Sequence, residues 1–482
     1  MPFSEDKNKE EVRVLLVAFS AQGHINPLLR LGKNLLSKGL HVTLATTELV
    51  YHRVFKPTTT TTGDDDTTVP TSITTDGIEV IFFSDGLQTD EDRKGGLDKY
   101  MEVIGKFGPI NLSNIIKNHF VGGSKKLACI INNPFIPWVA DVAADFNIPC
   151  ACLWIQPCAL FAIYYRFYNN LNNFPTLTDP DTSVELPGLP LLQTEDLPTF
   201  VLPSNPFGTF PKLLSDMLQD MKKYKWVFTN SFYELEKDVI DSMSEIFPLM
   251  TVGPLVPSSL LGEDENSDVG IEMWKPQDSC MEWLNHKPDS SVIYISFGSL
   301  TVLSSTQKES IANALKKTKH PFLWVIKEGT EEELPLPKKF MEETKDQGMV
   351  IPWCPQTKVL AHPAVACFLT HCGWNSTLEA ITAGTPMIGY PKWTDQPTNA
   401  KLITDVFHTG VRLKQDSDGF VTTEEVEKAI EQVLEGRSSE EFKKNAAELK
   451  RAAREAVAEG GSSDRNIQYF VDEILGNSTI HH

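Results

Sequence analysis

Apolar residues fall in short unbroken blocks separated by helical patterns. Residues 14–19, Val-Leu-Leu-Val-Ala-Phe, form a continuous apolar run that fits a strand buried on both faces. Residues 20–24 turn the chain. From Ile25 a helical pattern puts Leu28, Leu31, Leu35 and Leu36 on one side, with Pro27 in its first turn. Gly39 closes that helix and residues 41–46 form the next strand, a βαβ unit that predicts a parallel sheet. Further strands are expected at 78–83, 128–132, 150–154 and 226–230, the last being the final core strand of the first half, with a helix at 138–146. A second series follows at 292–296, 322–326, 350–353, 365–370, 387–390 and 410–413. Charged amphipathic helices are expected at 423–434 and 440–459, and a last helix at 464–475. Residues 56–77, rich in Thr, Asp and Pro, read as a flexible surface loop.

A chain of 482 residues exceeds one compact core. A stretch containing Val252-Gly-Pro-Leu-Val-Pro-Ser-Ser and an acidic run at 263–268 reads as a linker. The expected division is a first domain at 1–252, a linker at 253–275, a second domain at 276–460, and a C-terminal helix at 461–482 returning to the first domain. The fold class is α/β, two doubly wound domains facing each other across a cleft.

Charge narrows the partners. The net charge of −20 argues against nucleic acid and against an anionic membrane surface. The eight cysteines lie mostly in apolar runs without zinc-ribbon spacing, which points to free buried thiols in a reducing compartment. Residues 1–11 are charged and lack an apolar signal core, and the most apolar window, 148–165, is interrupted by Pro149, Gln156 and Pro157. A cytoplasmic, soluble monomer is expected. There is no Gly-x-Gly-x-x-Gly after the first strand and no Walker loop, so nicotinamide and ATP enzymes lose support. No cluster has metal-ligand spacing, and no metal or cofactor is expected.

The densest chemistry lies at 353–396. An apolar strand at 365–369 ends in His371-Cys-Gly-Trp-Asn-Ser376, and a helical pattern follows. Small and polar residues where a strand gives way to a helix make an anion site in an open α/β sheet. This stretch resembles the signature box of plant family 1 glycosyltransferases, which move sugar from UDP-sugars onto small molecules. The match runs from Trp353 to Gln396 without a gap, and Gly23-His24 and Ser296-Phe-Gly-Ser299 extend it over nearly the whole chain. The resemblance implies a GT-B fold of two Rossmann-like domains, the C-terminal one holding the nucleotide sugar and the N-terminal one the acceptor.

It also implies roles that the residue types suit. Trp353 offers a flat face for uracil, with Cys354 beside it, and Gln356 can reach the ribose. Glu379 can accept from ribose hydroxyls. His371, Asn375, Ser376 and Ser299 can donate to the diphosphate at the helix start. Trp374, Asp395 and Gln396 resemble the family's sugar-contacting residues, and Gln at the last position resembles glucose-users, so the implied donor is UDP-glucose.

His24, at the turn from first strand to first helix, corresponds to the family's general base, and the helix start would favour its neutral form. Many relatives carry an Asp after the fourth strand to orient that histidine. Here Asn133 stands in Asn132-Asn-Pro-Phe-Ile-Pro-Trp138, a segment similar to the branch that makes glucose esters of phenolic acids and some polyphenol C- and O-glucosides. Asn orients a ring but cannot neutralise an imidazolium, and an acceptor carboxylate, with a pKa near ~4, needs no base. Asp85 and Asp141 are alternative partners. Phe83, Gln156, Phe200 and Trp393 are candidates for an apolar acceptor pocket, with Phe82 and Phe161.

The expected activity is inverting transfer of glucose to an aromatic acceptor at a carboxylate, hydroxyl or ring carbon. C-glucosylation is the rival within the class. A dinucleotide oxidoreductase and a non-catalytic UDP-sugar-binding protein are the rivals outside it.

Overall fold

The computed structural model describes residues 11–56, 69–87, 96–122, 125–263, 268–273, 277–299, 301–327, 336 and 338–477. Two twisted sheets organise it. The first has eight strands: β1 (Glu11–Val17), β2 (His41–Thr47), β3 (Ser72–Thr75), β4 (Ile78–Phe83), β5 (Lys125–Asn132), β6 (Cys150–Trp154), β7 (Trp226–Thr229) and β8 (Met250–Thr251). Their order is β3-β4-β2-β1-β5-β6-β7-β8, and every pair is parallel except β3 against β4. The second has six: β9 (Val292–Ser296), β10 (Phe322–Val325), β11 (Gly348–Ile351), β12 (Val365–Thr370), β13 (Met387–Gly389) and β14 (Gly410–Arg412). Its order is β11-β10-β9-β12-β13-β14, parallel throughout.

The unbroken apolar runs become central strands covered on both faces, as parallel strands require. Val14 and Leu16 of β1 face one core with Leu28, Leu31 and Leu35 of helix α1 (Gln22–Ser37), while Leu15 and Val17 face the other. Helix α2 (Gly96–His119) and helix α3 (Cys158–Tyr168) cover the second face. In the second half, helix α4 (Trp374–Ala383) follows β12, and α5 (Gln396–Asp405) follows β13. Helix α6 (Ser439–Val457) leads into α7 (Ser462–Leu475). Helix α7 sets Phe470 edge-on to Trp226 and Phe228, both at 5.0 Å, and its Asn466 Nδ2 donates to Thr251 O at 2.9 Å. Burying a phenylalanine in this way is worth about 3 kcal/mol.

Several expectations are corrected. The Thr-rich stretch is not wholly loop: Ser72–Thr75 pairs antiparallel with β4 at the sheet edge. Its alternation of exposed and half-buried residues is that of an edge strand, which low hydrophobicity conceals. Residues 57–68 lie outside the described residues, as do 264–267 of the acidic run. The first sheet also gains β8, two residues long and too short to leave a pattern, after the strand expected to close it.

Among the described residues no helix is long and apolar enough to cross a membrane, and no cluster of three or more His, Cys, Asp or Glu is placed to hold a metal ion. All eight cysteines are free and buried.

Candidate active site

A cleft of about 300 Å³ opens between the ends of β9 and β12, the start of α4, and the N-terminal turns of α1. Ser299, Trp353, Cys354, Gln356 and His371 line it. So do Trp374, Asn375, Ser376 and Glu379. Nine of the eleven donor residues singled out in the sequence therefore meet in one place.

The start of α4 forms its floor. Gly373 is extended (φ −62°, ψ 139°) and supplies no side-chain cap to the backbone N–H groups of the first turn. His371 sits in a cradle of glycines. A Cβ on Gly373 would lie 2.5 Å from its Nε2, and one on Gly298, at φ +72°, would lie 2.8 Å from it. Burial pushes this imidazole down to about 4, so it is neutral, and its Nδ1 is buried without a hydrogen-bond partner. A neutral ring beside a helix N-terminus suits a phosphate anion.

At the other end, Gln356 organises a polar chain. Tyr294 Oη donates to its Oε1 at 3.0 Å, and its Nε2 donates to Ser376 Oγ at 2.9 Å and Glu379 Oε2 at 2.8 Å. Burial raises the Glu379 carboxyl, while the Gln356 bond and the Arg30 charge oppose that rise. Cys354 lies 3.3 Å from Tyr294 Oη, and burial pushes its thiol up to about 12. Gln22, Asn26, Arg30, Glu272 and Tyr294 also line the cleft and were not singled out from sequence. They come from α1, the linker and β9, and no local signal in the sequence joins those segments.

Three residues of the box also make structural contacts. The Trp374 indole Nε1 donates to Asn230 O at 2.8 Å, so its polar handle braces one half against the other. Asp395 and Gln396 do not line the cleft. Asp395 accepts from Thr394 Oγ1 at 2.8 Å, Asn399 Nδ2 at 2.7 Å and the Trp374 backbone N–H, and burial raises its carboxyl. Gln396 Oε1 accepts from the backbone N–H groups of Lys392 (2.9 Å) and Trp393 (3.3 Å). Both side chains hold the loop at 391–395, which docks on the first half where Thr199 N donates to Thr394 O at 2.9 Å.

His24 occupies the turn from β1 into α1, wedged between Phe19 (5.1 Å between ring centroids) and Phe135 (5.3 Å). Burial pushes its imidazole down to about 3. Burial, rather than the helix start, is thus what keeps the ring neutral. Its Nδ1 is enclosed without a partner. Asn133 Oδ1 accepts from Phe19 N at 3.1 Å, and Asn133 Nδ2 also lacks a partner. Asn133 therefore fixes the strand end beside His24 rather than hydrogen-bonding the ring. Asp141 pairs instead with Lys223 at 2.7 Å, and Asp85 Oδ1 accepts from Leu87 N.

From Phe135 an aromatic series runs away from His24. Phe135 meets Phe210 edge-on at 5.2 Å, Phe210 stacks on Phe200 (6.0 Å, 5°), and Phe207 joins Phe200 (5.6 Å) to Trp393 (5.5 Å). Phe200 and Trp393 were expected near an acceptor; Phe135, Phe207 and Phe210 are additions. Gln156 Oε1 is buried without a partner. Phe83 is buried at 4% exposure, as Phe200 is at 5%, while Phe82 packs on Tyr51 and Phe55, and Phe161 on Trp154.

Comparison with known proteins agrees with this geometry. The family model described as UDP-glucoronosyl and UDP-glucosyl transferase matches residues 235–457. UDP-glycosyltransferase 84B1 of Arabidopsis thaliana is 45% identical over 475 residues, 96% of this chain and 98% of that protein. Gallate 1-beta-glucosyltransferase of Quercus robur is 41% identical over 478 residues, 97% of this chain and 90% of that one. The crystal structure of Os79 from O. sativa in complex with UDP superposes with a TM-score of 0.84 at 31% identity, covering 96% of this chain and 100% of that chain. With its two facing parallel sheets and its cleft at the start of α4, the chain belongs to the plant family 1 UDP-glycosyltransferases and has their GT-B fold.

Proposed function

We propose that the enzyme transfers glucose from UDP-glucose, with inversion, to an aromatic small molecule, and that its best acceptors present a carboxylate. The reading rests on one observation above the others. His24 follows Gly23, which lines the donor cleft, and packs on Phe135 at the head of the aromatic series; its ring is neutral and has no carboxylate partner among the described residues.

In this reading uracil stacks on Trp353, Gln356 and Glu379 hold the ribose, and the diphosphate lies at the start of α4 near Ser299, His371, Asn375 and Ser376. Asp395 and Gln396 approach the sugar from the loop they brace, Gln396 through its Nε2. The aromatic series from Phe135 to Trp393 flanks the acceptor ring. The acceptor oxygen attacks the anomeric carbon as the bond to the β-phosphate oxygen breaks. A hydroxyl gives its proton to His24; a carboxylate has none to give. Negative charge on the departing UDP is met by helix-start N–H groups and neutral donors, so no metal is required by this arrangement. Asn133 leaves an imidazolium at His24 unneutralised, which favours an acceptor that arrives ionised. That gallate 1-beta-glucosyltransferases are 41–42% identical to this chain points the same way.

Product chemistry tests the proposal. With UDP-glucose and a panel containing a benzoic acid, a simple phenol and a flavonoid, UDP release is expected to be fastest on the acid, with a product cleaved by mild alkali and unaffected by EDTA. An alkali- and acid-resistant product would make the enzyme a C-glucosyltransferase. UDP binding without release on any acceptor would make it a binding protein.

A further inference from the structure

Three polar side chains on α1, spaced four residues apart, hold the chain segment that joins the two halves. Gln22 Oε1 accepts from Met273 N at 3.2 Å. Asn26 pairs with both backbone groups of Ile271: its Oδ1 accepts from Ile271 N at 2.8 Å and its Nδ2 donates to Ile271 O at 3.2 Å. Arg30 donates from Nε to Val269 O at 3.3 Å and from Nη1 to Leu255 O at 3.0 Å. Positions i, i+4 and i+8 lie along one helix face, so the segment is laid along α1 as an extended strap. Val269 and Ile271 turn into the core beneath, at 3% and 4% exposure, and Gly270 passes with its Cβ position 3.3 Å from Asn26 Oδ1.

Alternation along an extended segment sends the neighbour of Ile271 the other way. That neighbour is Glu272, and it lines the same cleft as Trp353, Gln356 and Glu379. Two carboxylates, Glu272 and Glu379, thus share the nucleoside end of the cleft with Arg30. Partial burial, and after it the charges of Glu379 and Asp278, raise the Glu272 carboxyl. Like charges gathered in a cleft are relieved by a ligand that supplies hydrogen-bond donors and no carboxylate of its own. The vicinal hydroxyls of a ribose are such donors.

We infer that the linker strap is a wall of the donor site and that Glu272 is a nucleotide-binding residue, accepting a hydrogen bond from a ribose hydroxyl while Glu379 takes the other. Asn26 is the positioning residue, holding the strap so that Glu272 reaches the cleft. The inference depends on the donor reading of the cleft given above.

Calorimetric titration of the whole enzyme with UDP, 2′-deoxy-UDP and 3′-deoxy-UDP tests it. Glu272→Ala is expected to weaken UDP binding about tenfold, the loss of one charge-assisted hydrogen bond. One of the two deoxynucleotides is expected to bind wild type and Glu272→Ala equally. Asn26→Ala is expected to show the same nucleotide pattern, and the double variant is expected to be no weaker than about the worse single one. Equal weakening of all three nucleotides, no weakening, or additive losses would overturn the inference. Trp353→Ala and Glu379→Gln are the controls. If they leave UDP binding intact, the donor reading itself fails; if they abolish it while Glu272→Ala does not, only the strap inference fails.

Discussion

Asn375 Nδ2, at the start of α4, donates a 3.0 Å hydrogen bond to the carbonyl of Gly23, the residue before His24. The bond joins the start of α4 to the turn that carries His24, across the gap between the two sheets. A Cβ on Gly23 would sit 3.0 Å from the same nitrogen. A branched side chain there must push the turn and the helix apart. Gly23→Val is therefore expected to lower kcat about 10²-fold, the scale of a misplacement of about 1 Å, and to change the calorimetric Kd for UDP far less. A loss of UDP affinity as large as the loss of kcat would show that the glycine serves donor binding rather than alignment.

The ring of His24 is neutral, and it lies between Phe19 and Phe135. If it removes the proton of a hydroxyl acceptor, His24→Ala should reduce transfer to a phenol by about 10²–10⁴-fold. Transfer to a benzoate, whose proton is already gone near neutral pH, should fall much less. Initial rates of UDP release on both acceptors decide the matter, and equal losses would contradict a base-free ester route.

Two buried imidazoles set a stability slope. His24 and His371 are pushed down to about 3 and about 4 by burial, whereas an unfolded histidine titrates near ~6.5. Above the unfolded value both states are neutral and neither group affects the balance. Below it the unfolded chain takes up protons that the fold refuses, so stability is lost as pH falls toward the folded values. Thermal melts from pH 7 to pH 4 are expected to show a falling midpoint. The fall should be shallower in His371→Gln than in wild type. Curves that are displaced but parallel would mean that His371 is not one of the groups responsible.

Strand positions and the donor box were legible because each is written in one continuous stretch. The apolar run at 365–370 is β12, and the residues after it must fall at the strand end and helix start, where His371, Asn375 and Ser376 meet the cleft. Residues contributed by packing were not. Glu272 reaches the cleft only because α1 holds the strap, and Phe135 and Phe210 meet only because the turn after β5 faces the helix Thr209–Gln219. The direction of the His24 shift was foreseen from the helix start, but its cause is enclosure by two phenylalanines that lie 5 and 111 residues away in sequence.

The thiols offer a probe of the donor cleft. All eight are buried, and burial pushes Cys354, Cys367 and Cys372 up to about 12, so almost no thiolate exists near neutral pH. Of the eight, Cys354 alone lines the cleft. Ellman's reagent is therefore expected to react slowly with the native enzyme, one thiol first, and with all eight in denaturant. Saturating UDP should slow that first reaction by at least about tenfold, because a nucleotide seated on Trp353 covers the neighbouring Cys354. Cys354→Ser should remove the phase altogether while keeping the hydrogen-bonding partner of Tyr294. A first phase that survives in Cys354→Ser, or one indifferent to UDP, would place the nucleotide elsewhere.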